Sequence, residues 1–435
     1  MYLKFLSLLL FCMPFVLFAQ QNIELDEVVQ QAIQNNYNIK IAKNSIEVAA
    51  VNATIGQAGF LPVIDFSGGY NYSNSISKTT FYGGFPDQSN DAAASQNYNA
   101  GVNLKYTLFD GLKPVYKLKK SKIDLNISNA QYQSELQNTA FNVVQAYFNL
   151  AKSTEDYRIA TEKYQLNLEQ LQRIDIQLKY GQGNEAERLN LQSTMLADSA
   201  QLLRVRVLIR SAVRQLNRLI GTEYLDEEVQ LTIETDLDLS INFESILEAA
   251  LQKNPAIVQA NLNIESAKMD LKITNSELYP KLNTTVSYGY NGNQNDVGIV
   301  KSNDAVGPSI NLGLSYALYS GGALKRAQKQ SKLRIEGREL SLAMLRYETE
   351  QNVKDAYTKH ENNKLLMALE RNNTTISKTN FDRVRKSYEL GQANYFNFQQ
   401  ASFNYIQSQK KLIEAQYNAK LSEWELRFLA GKIIN

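Results

Sequence analysis

The side chains best suited to catalysis or metal binding are scarce in this chain. Among its 435 residues there is one histidine, His360, and one cysteine, Cys12. Zinc and most transition metals are held by several histidine or thiolate ligands, so a site built on those ligands is excluded. His360 lies between Lys359 and Glu361 and is expected on a solvated helix surface. No nucleophile motif or phosphate-binding loop is present, so we predict neither a cofactor nor an enzyme.

The charge balance argues against nucleic acid as a partner. Lysine and arginine number 46 and aspartate and glutamate 44, which gives a formal net charge of +2. The two signs are interspersed along the chain, and no basic patch points to a nucleic-acid backbone. Carboxylates scattered close to opposite charges are typical of solvated coiled-coil surfaces.

The N-terminus is typical of a secretory signal peptide over residues 1–19. Lys4 supplies the positive start, residues 5–18 are apolar, and Ala19 is a small residue at the cleavage point. The alternative is a membrane anchor, but the stretch is short and is interrupted by Pro14. Cys12 lies inside it, so the mature chain is expected to have no thiol. No later stretch is apolar for some 18 residues, so a span of the membrane would have to be a β-barrel.

The chain is a duplication. Residues 32–62 align without a gap with residues 250–280, and Tyr106–Gly111 aligns with Tyr316–Gly321. We therefore divide it into a first repeat, residues 20–222, a short acidic connection, residues 223–242, and a second repeat, residues 243–435. A repeat of this length is far longer than a solenoid unit and predicts a pseudo-twofold object. The connection is a candidate to wrap the outside of the helices.

Long helices dominate each repeat. Runs almost free of glycine and proline predict helices over residues 112–180, 184–220, 322–390 and 393–430. From Leu136 to Leu178 mainly apolar residues keep a 4–3 spacing through six heptads, which predicts a coiled-coil seam. The longest runs correspond to roughly 100 Å of helix. Shorter helices, residues 25–60 and 244–278, precede the strands.

Four strands are predicted, over residues 61–72, 98–109, 281–291 and 308–319. Each alternates apolar residues with small or polar ones over the length of a tilted transmembrane strand. Tyrosines near the strand ends are expected to form interfacial girdles. They are Tyr70, Tyr72, Tyr98, Tyr106, Tyr288, Tyr290 and Tyr316. The polar loops between them, residues 73–97 and 292–307, are expected outside the cell. The alternative is a soluble sheet packed on the helices, although two isolated hairpins are marginal in water.

Four strands cannot close a membrane barrel, and open edges are not tolerated in lipid. At least two chains must therefore pool their strands. The predicted fold class is mainly α with a membrane β-barrel portion. It is a duplicated helix–β-hairpin–long helix–helix unit, with a long coiled-coil α-barrel and four strands per chain in a shared barrel.

Short motifs in a fixed, duplicated order identify a resemblance. Leu61-Pro62 and Tyr279-Pro280 precede the first strand of each hairpin, and Leu108–Gly111 and Leu318–Gly321 follow the second. With the duplicated unit, this resembles the TolC-type outer-membrane efflux family over essentially the whole mature chain. The resemblance implies a homotrimer with twelve strands in one barrel and a periplasmic extension. It also implies a passive exit duct of a tripartite efflux pump or a type I secretion system. A periplasmic adaptor (membrane fusion) protein and an inner-membrane transporter would be its partners, and outer-membrane lipid its surroundings.

The same resemblance places adaptor docking and a gate at two helix tips, residues 180–189 and 388–400. The site residues it implies are Tyr180, Gly181, Asn184, Glu187, Leu189, Tyr388, Gly391, Asn394, Asn397 and Gln400. A contact between Glu187 and Tyr388 is expected to hold the tip closed, the alternative being a solvated glutamate and a packing tyrosine.

Two departures from the family concern charge at the tip. Asn397 and Gln400 stand where some members carry aspartates, and Ala393 stands where some carry an arginine. Strong cation selectivity is therefore not expected. Tyr395, Phe396 and Phe398 are either adaptor anchors or helix-packing residues. The competing function is an exported structural coiled-coil surface protein, which explains the heptads but not the paired hairpins.

Overall fold

The computed structural model describes residues 22–84, 86–226, 230–231, 236–238, 241–298 and 300–433. The predicted signal peptide and parts of the connection, residues 223–242, lie outside the described residues. The chain divides into two structural units. The first contains Met1–Ala42, Tyr132–Pro255 and Arg346–Asn435, and the second contains Lys43–Gln131 and Ala256–Leu345.

The two repeats have the same element order apart from a short initial strand and one short extra helix in the first. The first runs β1 (Asn22–Ile23), α1 (Leu25–Asn35), α2 (Tyr37–Asn52), α3 (Ile55–Ala58), β2 (Val63–Thr79), β3 (Gln88–Phe109), α4 (Lys113–Lys179) and α5 (Glu185–Ile220). The connection contains β4 (Gln230–Leu231), and the second runs α6 (Phe243–Lys253), α7 (Pro255–Ser276), β5 (Lys281–Asn295), β6 (Ser302–Ser315), α8 (Ala323–Glu389) and α9 (Tyr395–Leu429). Within the described ranges, none of these helices combines the length and hydropathy needed to cross a bilayer.

The long helices α4 and α8 have 67 residues each, about 100 Å at 1.5 Å per residue. From Thr154 to Leu178 the predicted seam of α4 is only partly buried, and the buried apolar residues Ile159, Ala160 and Ile174 lie outside it. From Leu136 to Leu150 the seam is buried. Ala140, Val143, Tyr147 and Leu150 are all fully buried there. Val143, Tyr147 and Leu150 join residues of α1, α5 and α9 in one apolar cluster, which is the main core of this unit.

The N-terminal strand is tied to the connection between the repeats. β1 pairs in parallel with β4, through Asn22 with Gln230 and Ile23 with Leu231. The Tyr147 hydroxyl, buried in the core, donates to the Ile23 carbonyl at 2.9 Å. This short pairing and the Tyr147 hydrogen bond fix β1 to the core of the first unit.

The helical segment predicted over residues 25–60 consists of α1, α2 and α3. It breaks at Asn36, whose ψ of 130° leaves the helical region. The Asn36 amide oxygen accepts from the backbone N–H of Asn38 at 2.8 Å, and its amide nitrogen donates to the Leu219 carbonyl at 2.6 Å. One side chain thus caps α2 and attaches the break to the end of α5. A second break at Thr54, with ψ of 157°, separates the short α3.

The helical segment predicted over residues 244–278 breaks in the same way. Asn254 has ψ of 123°, and its amide nitrogen donates to the Leu429 carbonyl at 3.2 Å. Pro255 then begins α7, where its missing N–H costs nothing. Gly221 follows α5 with φ of +89°, and a Cβ there would lie 2.8 Å from the Asn35 carbonyl oxygen. The junctions of the two repeats are therefore copies of one arrangement.

The second unit contains one antiparallel sheet in the order β2-β3-β5-β6. Between two register shifts, one at residues 75–77 and one at residues 107–109, equivalent positions align across it: Phe66 faces Val102, Val102 faces Tyr288, and Tyr288 faces Pro308. β2 and β6 are its edges and have no second partner strand among the described residues.

The strands differ in length from their predicted bounds. β2, β3 and β5 continue into segments predicted as loops, and the turns shrink to residues 80–87 and 296–301. Backbone pairing continues there because a hydrogen-bonded ladder does not require apolar side chains. The strand predicted over residues 308–319 instead runs from Ser302 to Ser315. Its last residue pairs with Lys281, the first of β5, so the following residues have no partner on this sheet.

Candidate functional site

Two helix tips in the first unit carry the predicted docking and gate residues. In the turn after α4, Gly181 has φ of +70°, and the Asn184 side chain accepts from the Ala186 N–H at 3.0 Å to begin α5. In the turn after α8, Gly391 has φ of +76°, and the Asn394 side chain accepts from the Asn397 N–H at 2.9 Å. A glycine adopts the left-handed conformation at the end of each long helix, and an asparagine caps the start of the helix that follows.

The structure brings together Glu187 of α5 and Tyr388 of α8, the pair named from the sequence. The Tyr388 hydroxyl donates to the Glu187 carboxylate at 2.6 Å. Burial raises the pKa of the Tyr388 phenol well above its usual range, and the hydrogen bond to Glu187 raises it further. The phenol therefore stays protonated and keeps its role as donor.

Arg173 of α4 is a second link between the repeats at the tip. Its guanidinium donates to the Glu389 carbonyl at 2.5 Å and lies 5.7 Å from the centroid of the Tyr388 ring. Arg385 and Glu169 form a further, exposed ion pair at 3.5 Å. Sequence reasoning missed Arg173, because an arginine on a mixed-charge helix carries no signal of its partner 216 residues away.

The aromatic residues of the second tip divide into packing and exposed groups. Phe398 is fully buried, and its ring stacks on Tyr388 with centroids 5.0 Å apart. Phe381 packs on Phe398 at 6.0 Å, and Tyr395 approaches Tyr388 at 6.5 Å. Phe396 is 71% exposed. Tyr395 and Phe398 therefore pack between α8 and α9, and Phe396 alone of the three presents its ring to solvent.

The remaining tip residues lie at the surface and do not converge on one point. Tyr180, Leu189, Asn397 and Gln400 are exposed. Gln400 donates to the Asn404 side chain at 3.0 Å, along its own helix. The Arg188 guanidinium pairs with Glu185 across the start of α5. Among the described residues the tips thus hold one cross-repeat cluster, centred on Tyr388.

The sheet of the second unit has one apolar and one polar face. Even-numbered residues share the first face, which includes Phe66, Val102, Val286 and Leu312. Odd-numbered residues share the second, where Asn103 donates to Asp65 and Ser67, at 3.2 and 3.0 Å. Further side-chain hydrogen bonds cross this face at Thr107–Asn283, Asn293–Asn97 and Ser287–Ser309. The apolar face is largely uncovered, with Phe66 74% exposed.

Six of the seven predicted girdle tyrosines lie on strands, all on the apolar face. They are Tyr70, Tyr72, Tyr98, Tyr106, Tyr288 and Tyr290. The rings of Tyr98 and Tyr290 stack at 6.0 Å, and the Tyr290 hydroxyl donates to Asp304 at 2.7 Å. Tyr316 falls just beyond β6, because β5 offers no residue to pair with it.

His360 is not the solvated residue expected from its charged neighbours. It is 1% exposed, and its Nδ1 lies 3.1 Å from the Ser422 hydroxyl of α9. Burial lowers its pKa. Nearby on α9, the fully buried Glu423 pairs with Lys420 and Arg427 and accepts from the Asp238 N–H at 3.2 Å. The sequence missed this because the facing residues lie on a helix some sixty positions later.

These residues are suited to binding and to the passage of other molecules. Among the described residues, no three histidine, cysteine, aspartate or glutamate side chains are placed to hold a metal ion. The tip cluster can hold two helix pairs together or release them, and the two-faced sheet can separate an apolar environment from a polar one.

Comparison with known proteins decides the family. The model of the outer membrane efflux protein family matches residues 28–222 and, separately, residues 246–432. The chain belongs to this family. The two matches coincide with the two repeats, which confirms the resemblance and the fold class expected from the sequence. The family forms outer-membrane channels, so this outer membrane efflux protein lies in the outer membrane and is not an enzyme.

The relatives are distant but similar over nearly their full lengths. The alkaline protease secretion protein AprF of Pseudomonas aeruginosa is 22% identical over 92% of this chain and 82% of its own. The outer membrane protein TolC of Salmonella enteritidis is 20% identical over 94% and 82%. Among solved structures, the open state of the MtrE channel of Neisseria gonorrhoeae has a TM-score of 0.72 at 17% identity, covering 94% of this chain and 88% of MtrE. CusC has a TM-score of 0.75 at 14% identity, covering 93% and 91%. These structures establish the fold of this efflux protein.

Proposed function

We propose that this outer membrane efflux protein is the passive exit duct of a tripartite efflux pump or a type I secretion system. Three copies form one tube, in which a closed twelve-stranded sheet crosses the outer membrane and the helices extend into the periplasm. An adaptor protein docks at the helix tips, and an inner-membrane transporter supplies the energy. Nothing is chemically changed in transit.

The observation that carries this proposal is the sheet with two unlike faces and two open edges. An uncovered apolar face of four strands suits lipid, and the opposite face of asparagine, serine and glycine suits water. Edge strands leave backbone N–H and C=O groups unpaired, which lipid does not tolerate. Pairing β6 of one copy with β2 of the next satisfies both edges, and threefold symmetry closes the sheet.

The helices of the first unit support the same assembly. On α5, the exposed apolar residues Leu189, Leu196 and Leu203 recur every seven positions. On α8, Leu369 and Ile376 are exposed apolar residues seven positions apart, and Leu390 continues this spacing directly after the helix. Exposed stripes of this length indicate a partner. A stripe on each repeat allows head-to-tail packing of copies, and such packing gives a ring.

The contact between Tyr388 and Glu187 is the proposed closure of the duct. It joins α8 of the second repeat to α5 of the first, and Arg173 adds a link from α4. Opening then requires these cross-repeat contacts to break while the aromatic packing of α8 on α9 remains. The exposed Leu189 and Phe396 are the proposed adaptor-facing side chains of the two tips.

The competing proposal, an exported coiled-coil surface protein, leaves the apolar face of the sheet without a covering layer. Relatives are named for both kinds of export: AprF for alkaline protease secretion and BepC of Brucella suis for efflux.

Cysteine cross-linking of the sheet edges tests the assembly. The only native cysteine is Cys12, so introduced pairs will be read without background from the mature chain. Ser309→Cys on β6 is combined in turn with Ser67→Cys, Asn71→Cys or Ser75→Cys on β2, because the register between copies is unknown. A disulfide needs Cα atoms about 4.4–6.8 Å apart. We expect one combination to give a covalent trimer on a non-reducing gel.

Single-cysteine variants are the control, since they can give dimers but not trimers. Monomer alone from every combination, in membranes that contain the folded protein, would contradict the closed sheet.

Adaptor docking is tested separately with a photo-cross-linking residue at Leu189 or Phe396 in intact cells. Capture there, and none from the same residue at Tyr82 in the β2–β3 turn, is the expected result. Equal capture from Tyr82 would contradict docking at the tips.

A further inference from the structure

The two long helices begin with a concentration of positive charge that the near-neutral total conceals. Residues 112–123 contain five lysines and no acidic residue. Residues 323–335 of the second repeat contain three lysines, two arginines and no acidic residue. We call these lysines and arginines, together with Lys268 and Lys272 of α7, the basic collar. It lies entirely within the second unit, where both helices follow the sheet.

Most collar cations are not neutralised by the chain itself. Lys113 is paired with Glu277 at 2.5 Å, and Lys120 with Asp124 at 3.3 Å. For the rest of the collar, no ion pair is formed with any part of the chain that the structure describes. These residues are exposed: Lys117, Lys119, Lys122, Lys268, Lys272, Lys325, Arg326, Lys329, Lys332 and Arg334.

Helix stability does not explain this charge. The N-terminal end of a helix carries a partial positive charge that acts over the first turn, so cations there, Lys113 in α4 and Lys325 and Arg326 in α8, are unfavourable. Neither α4 nor α8 has an acidic residue in its first turn. The pattern occurs in both repeats despite this cost, which indicates that the cations meet an anionic partner outside the chain.

The collar follows directly on exposed apolar side chains at the base of the sheet. Leu112 precedes Lys113 and is 53% exposed, and Leu318 precedes α8 and is 88% exposed. Leu61, Tyr279 and Tyr319 are also exposed at these strand ends. From Lys113 to Lys122 α4 advances about 14 Å. The polar layer on one side of a bilayer is roughly 5–8 Å thick, so the first collar cations lie at its depth and the rest within about a Debye length of it.

We propose that the basic collar binds the anionic phospholipid headgroups of the leaflet that faces the helices. This rests on the proposed function, in which the sheet lies in the membrane and the helices in the periplasm. The long stems of lysine and arginine cover apolar surface while their charged ends reach the headgroup phosphates. Each cation near such a surface raises the affinity for it roughly fivefold. The collar therefore seats the duct at a fixed depth and selects acidic lipid around it.

Lipid selection by the purified full-length protein tests this. The detergent-solubilised oligomer is incubated with micelles containing equal amounts of phosphatidylglycerol and phosphatidylcholine, and bound lipids are counted by native mass spectrometry. We expect wild type to retain at least about threefold more phosphatidylglycerol, and the preference to fall as salt rises. Lys119→Gln, Lys122→Gln, Lys329→Gln and Arg334→Gln together should bring the ratio close to one.

The matched control removes four exposed cations of the first unit, with Arg204→Gln, Arg214→Gln, Arg371→Gln and Lys378→Gln. It should keep the wild-type preference. Equal retention of the two lipids by wild type, or an equal loss in both fourfold variants, overturns the proposal.

The trimer is measured in the same spectra. A trimer without lipid preference refutes the collar alone, whereas failure to form a trimer refutes the proposed duct. Because salt dependence is read on wild type, a fourfold variant that fails to assemble does not remove the test.

Discussion

Removal of one hydroxyl group, in Tyr388→Phe, tests the proposed closure of the duct. The phenol donates to the Glu187 carboxylate at 2.6 Å from a partly buried position. A hydrogen bond to a charged group contributes about 1.5–3 kcal/mol. Glu187 is partly exposed, so water can replace the lost donor and the lower end of that range applies.

A loss of about 1.5 kcal/mol for each contact multiplies the ratio of open to closed tips by roughly ten. The phenylalanine ring keeps the stack on Phe398 and the contact with the Arg173 guanidinium, so folding is preserved. Single-channel recording in planar bilayers measures the result. We expect a higher mean conductance or longer open periods than in wild type.

Tyr395→Phe is the matched control. Its hydroxyl accepts from Gln399 on the same helix at 2.8 Å, so its removal breaks no contact between the repeats. Tyr395→Phe should behave as wild type. If Tyr388→Phe forms trimers and conducts as wild type does, or if the two variants open equally, the tyrosine–glutamate contact does not close the duct.

Two further predictions concern stability. Gly221→Ala should lower the free energy of unfolding by at least about 1–3 kcal/mol, because φ is +89° and the new Cβ would lie 2.8 Å from the Asn35 carbonyl oxygen. At Gly83 φ is +92°, but an added Cβ would have no atom within 4 Å, so Gly83→Ala should lower the free energy of unfolding clearly less. Equal melting temperatures of the two variants would contradict the junction argument. For His360, burial lowers the pKa, so the folded state favours the neutral ring while the unfolded state takes up a proton below about pH 6.5. The stability that comes from the neutral, buried ring is fully present above that pH and is lost as pH falls, by up to about 1.4 kcal/mol per pH unit. Thermal melting from pH 7.5 to 5 should therefore show a smaller loss of stability in His360→Asn than in wild type.

The sequence predicted those features that repeat with a regular period. The 4–3 spacing through Val143, Tyr147 and Leu150 identified residues that are fully buried. Alternation placed Phe66, Val102 and Val286 on one face of the sheet. Both signals depend only on residues two to four positions apart along the chain, so one sequence is enough to detect them.

Features that depend on distant contacts were predicted poorly. Asn36 and Asn254 interrupt helices because each bonds a carbonyl at the far end of its repeat. His360 has charged neighbours in sequence and is buried by α9. At the tips, the resemblance named Glu187 and Tyr388, but Arg173 belongs to the same cluster and had no motif to mark it. The role of the tip residues stays a prediction.

The equal length of α4 and α8 has a consequence for how this chain can vary. Pro62 and Pro280 stand 218 residues apart, whereas Gly111 and Gly321 stand 210 apart, so the second hairpin is eight residues shorter than the first. From there to the end of each repeat the spacing stays at 210, as Gly181 with Gly391 and Gly221 with Gly431 show. Since the repeats diverged, insertion or deletion has been accepted in the hairpins and not in the helices. A shorter rod would leave a gap beside every neighbour in a ring, whereas a longer turn beyond the sheet disturbs none. Grafts and tags therefore belong in the turns at residues 80–87 and 296–301, and the helices will accept substitution far better than any change of length.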